Sequence, residues 1–142
     1  MSRFLRRIQG RSESKEHKIL KVRIKEEVVE GVLEACRNVH PREFIGLLRA
    51  EEGKITEIIL PPASIYGKGL AQFQPHMLPF NLSIVGSIHS HPSGSGSPSA
   101  QDLNSMFNFG FVHIIVTFPY SNHRDLHTYD KKGNPIQWEI AE

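Results

Sequence analysis

The chain has 142 residues, of which 39% are hydrophobic and 23% charged, with a net charge of +2 and a single cysteine. That length fits one domain able to enclose a core without a structural metal, and the lone Cys36 excludes an intramolecular disulfide and suits a reducing interior. No apolar run approaches the ~20 residues of a membrane span, and the basic N-terminus lacks the apolar stretch of a signal peptide, so a cytoplasmic protein is expected.

Residues 1–17 read as a basic N-terminal extension. Its cluster of Arg3, Arg6, Arg7 and Arg11 is either a solvated tail or a contact for acidic protein or nucleic acid. A first strand is predicted over residues 18–24. Over residues 25–39, Val28, Val29, Val32, Leu33 and Cys36 recur at helical spacing, which predicts an amphipathic helix packed on a sheet. Cys36 falls in that stripe and reads as a small buried hydrophobe rather than a nucleophile.

Pro41 ends the helix, and residues 44–50 read as the second strand with Glu43 at its start. On the residues alone, Glu43 is either an exposed acid beside a turn or an inward carboxylate that needs a partner or a metal. Residues 51–53 form a hairpin turn into a third strand over 55–60, whose apolar end suggests burial on both faces. Residues 61–79 form a long connection rich in Pro, Gly and polar residues, of a length that is usually functional or mobile.

Residues 82–88 read as a strand that continues to Pro92, which cannot donate to a sheet ladder. The two-residue repeat places Leu82, Ile84 and Ile88 on one face and Ser87, His89 and His91 on the other, so two imidazoles point the same way. A Ser/Gly loop follows, and then a short helix with Asp102 in its first turn, near Ser99. A loop folding back over the strand end would bring Asp102 to the two histidines. Two neutral nitrogens and a carboxylate oxygen suit a tetrahedral Zn²⁺ with its fourth position left to water. The bland alternative is a helix cap: Ser99-x-x-Asp102 as a capping box, or Ser97 as the cap with Pro98 opening the helix.

Leu103, Met106 and Phe107 are expected to continue that helix until Gly110 closes it. Residues 111–118 form a strongly β-prone run consistent with a central strand, with His113 as a core or face residue. Residues 119–122 turn the chain, 126–129 form a further strand and 131–134 turn it again. Ile136, Trp138 and Ile140 then share one face of a closing strand. His17, His40, His76, His123 and His127 read as surface residues, with His76 kept as a loop neighbour of the site. No repeat, phosphate-binding glycine loop or Cys-x-x-Cys pair is present in the sequence, which excludes nucleotide cofactors and structural zinc fingers.

His89-x-His91, residues 92–98, and Ser99-x-x-Asp102 together resemble the signature of the JAMM (MPN+) zinc metalloproteases, which cleave isopeptide or peptide bonds after ubiquitin-like modifiers. That family also carries a glutamate earlier in the chain, in the setting Pro-x-Glu-x-x-Gly-Leu-Leu. Pro41-Arg42-Glu43-Phe44-Ile45-Gly46-Leu47-Leu48 supplies it, and no motif position departs from the pattern.

The resemblance implies an α/β fold, a curved mixed β-sheet flanked by helices and related to that of cytidine deaminases, over residues 18–142. It implies Zn²⁺ held by His89, His91 and Asp102, with Glu43 as the general acid-base and Ser99 as a donor to the oxyanion. The expected partner is a ubiquitin-like modifier or its conjugates, or a sulfur-carrier relative, with no membrane involved. In the family, an insertion corresponding to residues 61–79 helps to hold the modifier's tail. Two other classes stay open. One is a non-catalytic scaffold, although such members usually lose motif residues that this chain keeps. The other is a nucleic-acid-associated protein of the RadC kind, which shares His-x-His-Pro-Ser-Gly and Pro-Ser-x-x-Asp. A zinc deaminase is disfavoured because its His-x-Glu and Pro-Cys-x-x-Cys pattern is missing.

Overall fold

The computed structural model describes residues 21–60, 83–108 and 110–142. The basic stretch 1–17 with His17, the start of the predicted 18–24 strand, the 61–79 connection with His76, and Leu82 lie outside the described residues.

Strand β1 (Val22–Lys25) alternates, with Val22 and Ile24 fully buried. Helix α1 (Glu26–Val39) follows at once and buries Val29, Val32, Leu33 and Cys36, the stripe expected from the 3.6-residue period. Glu26 and Glu27 in its first turn and Arg37 in its last complement the helix dipole. The helix ends where the His40 N–H bonds the Cys36 carbonyl at 3.1 Å, just before Pro41. Burial pushes the Cys36 thiol up to about 12, so it is the inert core residue the pattern predicted.

Strands β2 (Ile45–Glu51) and β3 (Lys54–Ile59) form a hairpin. Its two loop residues, Glu52 and Gly53, both have positive φ (51° and 82°), the twist-matched form for a two-residue turn. Strand β4 (Ile84–His91) pairs antiparallel with β2 and parallel with β5 (Val112–Thr117). Helix α2 (Ala100–Asn104) lies in the connection between them. Strands β6 (Leu126–Tyr129), β7 (Pro135–Ile136) and β8 (Trp138–Ala141) complete one mixed sheet in the order β7-β6-β5-β4-β2-β3-β1-β8.

The two edge strands of that order, β7 and β8, are separated in the chain by Gln137 alone, so the sheet curves until it nearly closes. Trp138 Nε1 ties the gap by donating to the Leu126 carbonyl at 3.2 Å, and the Gln137 carbonyl accepts from the Val22 N–H at 2.8 Å. The single closing strand expected over Ile136, Trp138 and Ile140 is therefore two strands on opposite edges. Their shared face is right, since all three pack on the same core. The change of pairing partner at Gln137 is a long-range event that alternation does not encode.

One face of the sheet packs on α1 through Val22, Ile24, Leu48, Val85, Ile88 and Val116. The other carries a smaller cluster in which Ile45, Leu47, Ile115 and Tyr129 meet Met106 and Phe107. A bulge corrects one predicted face. Leu48 pairs with Gly86 but Arg49 with Ile84, so Val85 is an extra residue on β4, and Ile84 lies with the smaller cluster rather than with Ile88.

Two further expectations are overturned. The end of β3 is not buried on both faces: Ile58 and Ile59 are half-buried and Leu60 is 59% exposed. Ile58 and Leu60 border a groove shared with Val28 and Val32 of α1, so the helix does not cover this end of the strand. The second helix does not run to Gly110 either. It breaks at Ser105 (φ −127°, ψ −73°) and gives way to a 3₁₀ turn, Met106–Asn108. The Ser105 hydroxyl donates to the Gln101 carbonyl at 2.7 Å and the Asn108 amide to the Asn104 carbonyl at 2.9 Å, polar competition of the kind that ends helices. The tighter turn lets consecutive Met106 and Phe107 both enter the core. Gly110 (φ +119°) instead permits close approach to β4, because a Cβ there would lie 2.4 Å from the Val85 carbonyl oxygen. Among the described residues no helix is long and apolar enough to cross a membrane.

Two predictions test this architecture. A Cβ at Gly86 would lie 1.5 Å from the Val112 carbonyl oxygen. Gly86→Ala should therefore force β4 from β5 and lower the unfolding free energy by about 3 kcal/mol or more in urea titrations; an unchanged midpoint would contradict the β4–β5 register. Cys36 should resist a thiol reagent at pH 8 in the native protein and react fully once the chain is unfolded, which mass spectrometry of the adduct reads directly.

Candidate metal centre

The site begins with pairing across the sheet. His89 sits opposite Ile45 on β2 and Ile115 on β5, and Ile115 in turn faces His127 on β6, so these four side chains form one row on the face of the smaller core cluster. His91, two residues on, pairs with Thr117. Phe44 and Ser90 are doubly tied, the Ser90 N–H donating to the Phe44 carbonyl at 3.0 Å and the Phe44 N–H to Ser90 Oγ at 2.7 Å. One more step along that register brings Glu43 to the level of His91. Glu43 is exposed, and its negative charge acts on His91. The exposed reading of this residue is the one that holds: its side chain stands beside a turn in solvent, at the level of the β4 end that carries the histidines.

The loop after Pro92 folds back over the end of β4. The Gly94 N–H donates to the His91 carbonyl at 3.1 Å, and the Phe118 N–H reaches the same oxygen at 3.3 Å. Ser99 is the N-cap of α2. Its Oγ accepts from the Asp102 N–H at 3.0 Å while its own N–H donates to Asp102 Oδ2 at 2.8 Å, a complete capping box. The alternative with Ser97 as the cap and Pro98 inside the helix does not occur. The box turns the Asp102 carboxylate towards β4, where Oδ1 lies 3.1 Å from His89 Nε2 and Oδ2 lies 3.2 Å from His91 Nε2. The two Nε2 atoms are 3.1 Å apart. The capping-box reading of Ser99-x-x-Asp102 is thus correct, and the same box brings Asp102 to both histidines, as the sequence predicted.

The protons available to these groups do not suffice to pair them. His91 Nδ1 is 2.6 Å from the Ser95 carbonyl, which can only accept, so the ring proton sits on Nδ1 and a neutral His91 presents a lone pair at Nε2. That lone pair faces a carboxylate oxygen and a second imidazole. His89 is 2% exposed and its Nδ1 has no hydrogen-bond partner among the described residues. Without another cation, the arrangement draws a proton onto His91. Its pKa is raised, chiefly by the hydrogen bond to Asp102. Burial pushes Asp102 up, but the hydrogen bonds from His89 and His91 outweigh it and hold the carboxyl far below its usual range.

A divalent cation satisfies all three donors at once. His89, His91 and Asp102 each offer one ligand atom within a common 4.8 Å sphere of separation and could hold a metal ion. The two Nε2 atoms are 3.1 Å apart and each has a different Asp102 oxygen beside it, Oδ1 at 3.1 Å from His89 and Oδ2 at 3.2 Å from His91, separations near the edge of about 3.3–3.4 Å between neighbouring ligand atoms around zinc at bonds of about 2.0–2.1 Å. His89 and Asp102 are buried, His91 is half-buried, and Ser99 and Glu43 stand exposed, so one side of the cluster is open. The Ser99 hydroxyl proton is not used in the cap, where its oxygen accepts.

His40 and His123 are exposed, as expected, and His113 is fully buried. His113 accepts at Nδ1 from Ser87 Oγ (2.7 Å) and donates at Nε2 to the Gly110 carbonyl (3.1 Å), and burial pushes its pKa down to about 3. His127 is half-buried beside the site, not a remote surface residue. Neither it nor the Ser95 carbonyl could be found from spacing: one depends on which strand pairs with β5, the other is a backbone group present at every residue.

The family profile Prok-JAB, prokaryotic homologs of the JAB domain, matches residues 25–129. A Haloferax volcanii protein described as a probable metalloprotease is 34% identical over 131 residues, covering 85% of this chain and 80% of that protein. A solved JAB1/MPN domain protein from Archaeoglobus fulgidus is 33% identical with a TM-score of 0.68, covering 85% of this chain and 100% of that one. A structure described as a metalloprotease-like JAMM zinc site in the proteasome and signalosome is 32% identical with a TM-score of 0.67, covering 86% of this chain and 99% of that one. The curved mixed sheet, the converging histidines and aspartate, and these likenesses agree: the chain belongs to the prokaryotic homologues of the JAB domain, with a JAMM/MPN metalloprotease-like fold.

Proposed function

We propose that this chain is a zinc-dependent peptidase that hydrolyses isopeptide or peptide bonds at the C-terminus of a ubiquitin-like modifier or a sulfur-carrier protein. The observation that carries it is the convergence of His89 Nε2, His91 Nε2 and Asp102 on one point without enough protons to pair them. Zinc suits a set of two imidazoles and one carboxylate, and when bound it would lower the pKa of a coordinated water towards ~7 and polarise a carbonyl.

The remaining work falls to the chain's own side chains. Glu43, held at its backbone through the neighbouring Phe44–Ser90 pair and exposed at its side chain, accepts the proton of the attacking water and returns it to the leaving amine. The exposed Ser99 hydroxyl, its oxygen already engaged by the cap, directs its proton to the oxyanion. His91 keeps its Nδ1 proton on Ser95, so its other nitrogen stays a ligand rather than a base. Because β4 and β5 close the buried side, the scissile carbonyl approaches from the side of Glu43 and Ser99.

Glu43→Gln should retain zinc, measured by elemental analysis of the purified protein, yet lose about 10²- to 10⁴-fold in cleavage of a modifier–lysine conjugate; undiminished turnover would remove Glu43 from its role. His89→Ala should lose both metal and activity. Ser99→Ala should keep zinc, melt lower by the equivalent of about 1 kcal/mol for the lost cap, and lose about 10²- to 10³-fold in kcat. A zinc-loaded wild-type protein inert towards every modifier conjugate, yet active on unrelated peptides, would overturn the substrate assignment and leave the peptidase.

A further inference from the structure

The segment from His91 to Ser99 delivers two groups the site depends on: the Ser95 carbonyl that holds the proton on His91 Nδ1, and the cap that aims Asp102. Its own sequence, Pro92-Ser93-Gly94-Ser95-Gly96-Ser97-Pro98, has no apolar side chain larger than proline with which to anchor itself. The anchoring comes from β6. The Tyr129 hydroxyl donates to the Gly96 carbonyl, and the tyrosine ring is itself buried within 6.3 Å of the Phe107 ring. The His127 ring lies flush against the same residue, since a Cβ at Gly96 would stand 3.0 Å from its Cγ, Cδ2 and Nε2 atoms. That ring is held in turn by Thr117 Oγ1, 3.2 Å from Nε2. The turn after β6 supports the far end of the segment: a Cβ at Gly133 would lie 2.8 Å from Leu103 Cδ2, so α2 rests directly on that glycine.

We propose that Tyr129 and His127 are positioning residues for the metal centre: together they clamp Gly96, which holds the Ser95 carbonyl on His91 and keeps Asp102 within reach of both imidazoles. Neither residue touches the ion or the substrate. The clamp acts through the loop backbone, joining a core strand to the one ligand that does not sit on the sheet. Its zinc readout rests on the function proposed above, whereas the state of the His91 ring does not.

The test uses the full chain. Tyr129→Phe keeps the buried ring and deletes only the donor. It should leave the thermal midpoint of the zinc-free protein nearly unchanged, weaken zinc binding about tenfold in competition with a chromophoric chelator, and speed solvent exchange of the His91 Nδ1 proton seen by NMR. Gly96→Ala presses on the His127 ring and should weaken zinc binding similarly, and His127→Ala, which removes the other half of the clamp, should weaken it as well while the thermal midpoint of the zinc-free protein stays close to wild type, a split that general destabilisation would not give. Zinc affinity and His91 proton exchange equal to wild type in both Tyr129→Phe and Gly96→Ala would overturn the clamp. Should the wild-type chain bind no zinc, the metal reading falls. The clamp is then decided by proton exchange alone: faster exchange in Tyr129→Phe sustains it and unchanged exchange removes it.

Discussion

The site depends on a single carboxylate reaching three places. Asp102 closes a capping box with the Ser99 backbone and, from the same group, extends an oxygen to each of two histidines on a different element. A cap alone would be worth about 1 kcal/mol and would work equally well facing solvent. Here the box fixes the rotation of α2 about its own start, so that the third donor of the site is set by the same hydrogen bonds that begin the helix. Burial opposes a charge at this position. The charge persists because each oxygen has a partner, and the two imidazoles lose their partner if it goes.

The three donors are held with different stiffness. His89 and His91 are on β4, which has β2 on one side and β5 on the other, with α1 beyond one face and the 3₁₀ turn beyond the other. Their relative position is a property of the sheet: two residues apart on one strand, they cannot separate without unpairing it. Asp102 arrives by way of a loop of small residues, which is the adjustable arm. Ligands that come partly from a rigid sheet and partly from a loop need the loop to be seated elsewhere, and β6 lies two strands from β4 on the same face.

How much of this was legible from the residues follows from the range over which each feature is determined. The α1 stripe, the shared face of His89 and His91, the Ser99–Asp102 box and the buried Cys36 are local consequences of a 3.6 or a 2.0 period, and each stands as read. Features that depend on a distant partner were not legible. The bulge at Val85 moves Ile84 to the other face because β2 pairs one residue out of step beyond Leu48. The chain beyond Tyr129 splits between two sheet edges because the sheet curls, and His127 comes to the site because β6 lies beside β5. The failure over residues 103–110 is different in kind. There the helical period was present, but Ser105 and Asn108 hydrogen-bonded back to the chain and tightened it, so local polarity overrode the pattern.

Burial sorts the two acids near the histidines into different surroundings. Asp102 is enclosed, its oxygens occupied by fixed donors and its proton affinity driven down, which makes it a permanent anion suited to holding a cation and unsuited to carrying protons. Glu43 sits at the opposite extreme: its backbone is pinned to the end of the sheet through Phe44 while its carboxylate stands in solvent. A group that takes up and releases protons must change its charge without breaking the structure that positions it, and Asp102, whose carboxylate closes the cap and meets both histidines, does not meet that condition. An aspartate that titrated would free α2 from its cap and the histidines from their partner together. The fold thus encloses the carboxylate that meets both histidines and leaves the other acid at the rim of the same strand ends.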